Sequence, residues 1–314
     1  MIAQRQVWGE TLVELGASDD RIVVVDGDLA NSTKADLFAA AHPERFVEVG
    51  IAEQNMVGIA FGLSTLGYRP WLSTFGVFLT HRALDPIRML VSQTGAAVRI
   101  AGAYSGLLNG RSGKTHQDVA DLAIMRTMPG MTVLAPADEH EMRAAVRWAA
   151  DHDGPLYLRI ARDAVAPVFD IDTTWEDWAP RMLRDGGDIT VVSTGVQTSR
   201  CVDAVRLLAD RGIDARHIHV PMLKPLDEDR LAGLLGERVV TVEEHTMIGG
   251  LGGLVAEIVA ARRSTQTVTR LGLADGWSES GPDAFLLDKY GLSASRIADR
   301  IVGVHSRPVG TPGV

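Results

Sequence analysis

Short, continuous apolar runs alternate with helix-period segments along almost the whole chain, and this alternation restricts the fold more than any single residue does. IVVVDG (22–27), VRIAGA (98–103), MTVLAP (131–136) and PLYLRI (155–160) place apolar side chains at both parities. A strand buried on one face alternates apolar with polar, whereas a run without alternation is buried on both faces. That is the pattern of a mostly parallel sheet covered by helices. A further strand is expected over Arg69–Ser73. Residues 51–66, Phe78–Ser92 and Gln117–Met128 read as helices between these strands. Asp138 with Glu141 three residues later reads as a capping-box start to a helix running to Ala150. From Asp170 to Asp188 the pattern lapses into DIDTTWEDWAPRMLRDGGD, acidic and without sustained periodicity. Beyond it DITVVSTG (188–195), a helix over 197–211, ARHIHVPML (215–223), a helix over 227–235 and RVVTVEEH (238–245) open a second unit. The expectation is an α/β chain of two doubly wound domains, mostly parallel sheets with helices on both faces. The first domain is expected over 1–170, a linker over 171–188, the second domain over 189–305 and a frayed tail over 306–314.

Composition agrees with that size and narrows the function classes. The 314 residues are 46% hydrophobic, enough for two cores, and 23% charged, which is not the balance of a disordered chain. A net charge of -9 argues against a nucleic-acid-binding face, while leaving room for a local basic pocket. The single cysteine, Cys201, excludes an internal disulfide framework, and its place in a helix-period segment makes it a core residue. The N-terminal MIAQRQVWGETL has no apolar signal region, and no apolar run approaches the roughly 20 residues that span a bilayer. A soluble, cytoplasmic chain with no membrane partner is expected.

Three segments and a few scattered residues carry polar groups where chemistry could reside. VGIAEQNMVGIAFGLSTLG (49–67) reads on its own as a buried helix with Glu53 in its first turn, at the positive end of the macrodipole. In STFGVFLTHRALDPIRM (73–89), Phe75, Phe78 and His81 recur every three residues, which on spacing alone reads as core packing. AYSGLLNGRSGKTHQDVADL (103–122) is a glycine-rich loop with His116 before a helix; a lone loop histidine is ordinarily a surface residue. Arg5 and Arg162 read individually as solvated charges, and Ser32 and Asp28 as turn residues after a strand.

Together these segments resemble the transketolase superfamily, from about Ile2 to at least Val255 and most densely between Asp26 and Arg162. The resemblance implies a thiamine-diphosphate enzyme in which Glu53 contacts the aminopyrimidine ring and Phe75 and Phe78 stack against it. His81 stands where the family usually has Tyr, and Asp28 matches an aspartate near the thiazolium. His116, in THQD, matches a residue that hydrogen-bonds or shuttles protons with the donor's oxygens, a role suited to His near neutral pH. Arg5, Ser32 and Arg162 match phosphate-contacting positions, implying a sugar-phosphate substrate. Tyr104 and Ser112 depart from the family, which usually has His and Asp there, so the acceptor is left open.

Two further motifs are lookalikes. DGDL (26–29) with Asn55 resembles part of the GDG…N motif that holds magnesium and the diphosphate, but lacks the second glycine and the paired asparagine. MIGGLGGLVAEIV (247–259) follows a strand and opens a helix, yet Val255 occupies the last glycine position of a GxGxxG. His217 and His219 share a strand face without further ligands, so no metal site is expected in this chain. With that motif missing and the resemblance starting near Met1, the diphosphate, and most of the Mg2+ coordination, are expected from a separate N-terminal subunit. Two such pairs would form a heterotetramer with cofactors at the interfaces. The reaction implied is two-carbon ketol transfer from a ketose phosphate to an aldehyde. The alternatives are the β subunit of a 2-oxoacid dehydrogenase and a non-catalytic regulatory subunit.

Overall fold

The computed structural model describes residues 1–175 and 177–306. Its strands are, in chain order, β1 (Ile22–Asp26), β2 (Phe46–Glu48), β3 (Arg69–Phe75), β4 (Arg99–Ala103), β5 (Thr132–Leu134), β6 (Leu156–Ile160), β7 (Arg181–Arg184), β8 (Ile189–Ser193), β9 (Ala215–His219), β10 (Met222–Lys224), β11 (Arg238–Thr246) and β12 (Thr267–Leu273). They form a seven-stranded sheet in the order β10-β5-β6-β4-β3-β1-β2 and a five-stranded sheet in the order β12-β11-β8-β9-β7. Neighbours pair in parallel, except β10 against β5 and β7 against β9.

The absence of alternation in the apolar runs is explained by cover on both faces. β1, β4, β6 and β8 are buried at every position. Trp8 and Leu12, from the helix Gln4–Gly16, pack with Phe38, Trp71, Met142 and Leu158 on one face of the first sheet. Met56, Val57, Leu79 and Ile87 pack with Leu72 and Ile100 on the other. Each large apolar side chain buried this way contributes roughly 1.5–3 kcal/mol relative to exposure. Cys201, fully buried in the helix Gln197–Ala209, belongs to the core of the second sheet, and burial pushes its thiol up to about 12.

The sequence reading and the structure part at the seam between the units. β7 falls inside the stretch read as a connection, where it is an edge strand with half-exposed and exposed positions in alternation. Four residues are too few to establish a period. β10 leaves the second unit to pair with β5 of the first sheet. Val192, Ile218 and Leu251 of the second unit share one core with Leu72 and Ile100 of the first. Segments separable along the chain are therefore continuous in packing.

Two helices also differ from their expected form. The stretch Phe78–Ser92 consists of two π-turns, Phe78–Arg82 and Ile87–Ser92, around a short α segment Leu84–Pro86. Pro86 cannot donate a backbone hydrogen bond there. The helix expected from Gln117 starts at Asp121, with Gln117 and Asp118 buried in the preceding loop. The helix Glu139–Asp151 starts as expected, Asp138 accepting from the N–H groups of His140 and Glu141 at 3.0 and 2.9 Å. Among the described residues no helix is long and apolar enough to cross a membrane. Of the segment read as a tail, Ser306 caps the last helix and residues 307–314 lie outside the described residues.

Candidate active site

Loops leaving the carboxyl ends of β1, β3, β4 and β6 meet at one edge of the first sheet, the edge where open α/β sheets bind ligands. Glu53 opens the helix Glu53–Thr65 at this edge and is only 1% exposed. Both of its carboxylate oxygens accept from Arg82 Nη1, at 2.6 Å each. The Arg82 guanidinium lies 4.4 Å over the centroid of the Phe78 ring. Phe78 and Arg82 bound one π-turn and stand four residues apart, a spacing at which helical side chains share a face. Gln54 Nε2 donates to the Arg82 carbonyl at 3.1 Å, tying that turn to the start of the Glu53 helix.

Phe75, the last residue of β3, is the hub of an aromatic wall. It stacks on Tyr104 at 4.2 Å and on Phe78 at 5.9 Å between ring centroids. His116 meets both phenylalanines edge to face, at 6.0 and 5.6 Å. A groove of about 350 Å³ opens beside Phe78, at one end of this wall, lined by Phe78, His81, Arg82, Lys114, Asp118 and Trp277 among others. Asp118 is buried beneath it and accepts from Thr80 Oγ1 at 2.7 Å. Burial first, and then the charge of Asp121, push its carboxyl up to about 7.

A basic corner adjoins the wall at Tyr104. Arg5 donates through Nη1 to the Tyr104 hydroxyl at 2.9 Å and to the Ser32 carbonyl at 2.8 Å, and through Nε to the Arg162 carbonyl at 3.1 Å. The guanidinium carbons of Arg5 and Arg162 lie 5.4 and 5.6 Å from the Tyr104 ring centroid. Arg162 pairs with Asp163 at 3.2 Å. Asp283, reaching in from the second unit, is pushed up to about 6 by burial and by its hydrogen bond with Asp163.

The expected site residues are thus gathered unevenly. Glu53, Phe75, Phe78, His116, Tyr104, Arg5 and Arg162 converge. Ser32 takes part through its carbonyl, while its hydroxyl turns to Asn31 Oδ1 at 3.2 Å. His81 lines the groove but is exposed, its Nδ1 facing Thr80 Oγ1 and the Val77 carbonyl at 2.9 and 3.2 Å. Asp28 is exposed in a left-handed conformation, φ +65, its N–H held by Glu48. Ser112 is exposed and donates its N–H to the Asn109 carbonyl at 3.1 Å.

Several residues that shape the site escaped the sequence reading. Arg82 follows His81 in a segment that carries no signal to distinguish it from a surface arginine. The second unit also grips the glycine-rich loop. Glu244 accepts from the Leu107 and Leu108 N–H groups at 2.7 and 3.1 Å, Asp283 accepts from the Gly110 N–H at 3.0 Å, and Ser278 hydrogen-bonds Gln117. Gly106, at φ +94, is required here, since a Cβ would come within 2.4 Å of Glu244. The one available signal was a pair of adjacent carboxylates in an otherwise apolar strand, VEEH. Its other carboxylate, Glu243, takes the Leu251 and Gly252 N–H groups at 2.7 and 2.8 Å, so the nucleotide-like turn has its helix N-terminus already filled. His217 bonds Ser193 Oγ at 2.8 Å and His219 bonds Thr198 Oγ1 at 2.8 Å, as satisfied core histidines do. Among the described residues no group of three or more His, Cys, Asp or Glu could hold a metal ion.

Two family models match the chain: the transketolase pyrimidine-binding domain over residues 1–167 and the transketolase C-terminal domain over residues 180–297. A putative transketolase C-terminal section from Methanocaldococcus jannaschii is 38% identical over 300 residues, 95% of this chain and 95% of that one. A 6-deoxy-6-sulfo-D-fructose transketolase subunit from a Clostridium species is 35% identical over 298 residues, 93% of this chain and 91% of that one. A solved structure described as a split-gene transketolase, inactive β4 tetramer, superposes with a TM-score of 0.89 at 42% identity, covering 98% of this chain and 99% of that chain.

Proposed function

The chain belongs to the transketolase family, and on that footing we propose that it is the pyrimidine-binding subunit of a split, thiamine-diphosphate-dependent transketolase. It transfers a two-carbon ketol unit from a ketose phosphate to an aldehyde acceptor, in company with a separate N-terminal chain that holds the diphosphate and magnesium. The observation carrying this reading is that one flat group, the Arg82 guanidinium, reaches both the buried Glu53 carboxylate and the face of Phe78. A flat heteroaromatic ring with a polar edge fits that same pair. The Thr74 hydroxyl, buried without a partner at the same end of the sheet, is a further polar group suited to a bound ligand.

When bound, thiamine diphosphate supplies a nucleophilic carbon and an electron sink for breaking the carbon–carbon bond beside a ketone. Glu53 would hold the edge of the cofactor's ring through a charge-assisted hydrogen bond, made strong by the burial of its carboxylate. Phe75 and Phe78 present an apolar wall that would fix the ring's plane and keep water from it. His116, edge-on to both, exchanges protons with the donor's oxygens. Arg5 and Arg162, converging on Tyr104, bind the phosphate. Tyr104 and Ser112, which depart from the usual family residues, leave the acceptor open.

The relatives described above bear transketolase names, which does not favour the 2-oxoacid dehydrogenase reading. The β4 tetramer described as inactive supports self-association and a need for a second kind of chain. The test mixes this chain with a transketolase N-terminal subunit from the same source, thiamine diphosphate and magnesium. It follows aldose phosphate release from ketose phosphates against carbon dioxide release from 2-oxoacids. Aldose release is expected, falling about 10²–10⁴-fold in Glu53→Gln with the fold unchanged. Carbon dioxide release alone would transfer the chain to the decarboxylating branch. A Glu53→Gln complex as active as wild type would make it a non-catalytic subunit.

A further inference from the structure

Arg82 uses the two groups that the proposed ring site depends on. Its Nη1 sits at 2.6 Å from both oxygens of Glu53, a carboxylate with 0% side-chain exposure, while its guanidinium plane covers Phe78 at 4.4 Å. Arg82 is itself 43% exposed, so its head can withdraw to water along the groove it helps to line. A guanidinium is flat, cationic, rich in N–H donors and stacks on aromatic faces. An aminopyrimidine is likewise flat and offers nitrogen at its edge. The two are alike enough in shape and polarity to satisfy the same carboxylate and the same ring, and they cannot do so together without one ceding contacts.

We propose that Arg82 is an internal competitor for the pyrimidine subsite: it occupies Glu53 and Phe78 in one state of the chain and swings outward when the cofactor's ring takes them. This rests on the reading of Glu53 and Phe78 as ring contacts. The arrangement has a physical use. A buried carboxylate left without a partner is costly, and Arg82 keeps Glu53 neutralised whenever the ring is elsewhere. Its backbone is anchored by Gln54 from the Glu53 helix, so the side chain can move while the π-turn stays in place. Thiamine diphosphate then binds with an apparent affinity reduced by the fraction of chains in which Arg82 is already withdrawn.

The experiment is calorimetric titration of thiamine diphosphate into the complex of the full chain with its N-terminal partner and magnesium, a readout independent of turnover. Arg82→Met keeps length and apolar contact with Phe78 but removes the competing charge. It is expected to tighten binding about ten- to hundredfold, the range set by one charge-assisted hydrogen bond. Arg82→Gln, which keeps a donor for Glu53, is expected to shift in the same direction by less, and serves if Arg82→Met misfolds. In a Glu53→Gln background Arg82→Met should gain nothing, because the pairing that held the arginine inward is gone. Unchanged or weaker binding by both Arg82 variants would overturn the inference, as would an equal gain with and without Glu53. A wild-type complex that binds no thiamine diphosphate would remove the functional reading along with it. Wild-type binding without the Arg82 effect would remove only the competitor.

Discussion

Tyr104 concentrates the constraints of the basic corner in one side chain. Its backbone is left-handed, φ +60, a conformation that for a bulky non-glycine residue is held in place by its surroundings at a cost of order 1–3 kcal/mol. The surroundings are visible: Phe75 stacked at 4.2 Å, Arg5 from the first helix and Arg162 from the loop after β6 approaching the ring, and a hydroxyl that accepts from Arg5 at 2.9 Å and donates to the Ser32 carbonyl at 3.3 Å. Tyr104→Phe keeps the stack and the twist but frees one contact of Arg5. If the corner binds the donor's phosphate, KM for a ketose phosphate should rise about tenfold while kcat stays within about twofold, as for loss of uniform binding. A fall in kcat with unchanged KM would instead place the hydroxyl at the reacting carbons. Steady-state kinetics with phosphorylated and unphosphorylated ketoses separates the two, because only the phosphorylated substrate should feel the change.

At the scale of elements, β9 stores a pH dependence. Burial pushes the His217 imidazole down to about 3 from an ordinary 6.5, with the nearby His219 adding to the effect. Between those values the unfolded chain binds a proton that the folded chain refuses. Stability contributed by neutral His217 is therefore complete above about pH 6.5 and is lost as pH falls, by on the order of 1 kcal/mol per pH unit. His217→Gln, able to keep a bond to Ser193 without a titrating ring, should flatten this slope. Urea unfolding at pH 7 and pH 5 checks it: relative to the wild type, the variant's midpoint should gain at pH 5 compared with pH 7, whatever the buried carboxyls contribute to both proteins alike. The π-turn Phe78–Arg82 is an element of another kind, with an arginine at its end lying over the phenylalanine at its start.

At the scale of the molecule, the second unit is part of the site although it contributes none of the proposed catalytic groups. Glu244 on β11 accepts two N–H groups of the glycine-rich loop and pairs with Arg200 at 3.3 Å, while Arg159 of β6 donates to its carbonyl at 2.9 Å. The buried pair His219–Glu141, at 2.9 Å, closes the seam elsewhere. Removing the Glu244 carboxylate strands two buried amides and an arginine, each worth about 1–3 kcal/mol when left without a partner. Glu244→Ala should therefore raise the exchange of the Leu107 and Leu108 amides by about tenfold or more and leave those of β1 protected. Uniform acceleration across the chain would mean global destabilisation, with no special role in holding the loop.

The division between what sequence determined and what only folding decided follows from the range of the forces involved. Apolar runs without alternation made β1, β4, β6 and β8 legible, because burial on both faces is written into consecutive residues. The cap at Asp138 and the core position of Cys201 were legible for the same local reason, and resemblance along the chain picked out Glu53, Phe75, Phe78 and His116. The pairing of β10 with β5, the edge strand β7, the Arg82–Glu53 contact and the grip of Glu244 on Leu107 join residues whose distance along the chain carries no periodic signal. A hydrogen bond or ion pair depends on two groups arriving at a fixed separation, and only the packing of both sheets around a shared core sets that separation. Sequence thus determined which segments could be buried and which side chains could do chemistry. The tertiary structure decided which of them meet.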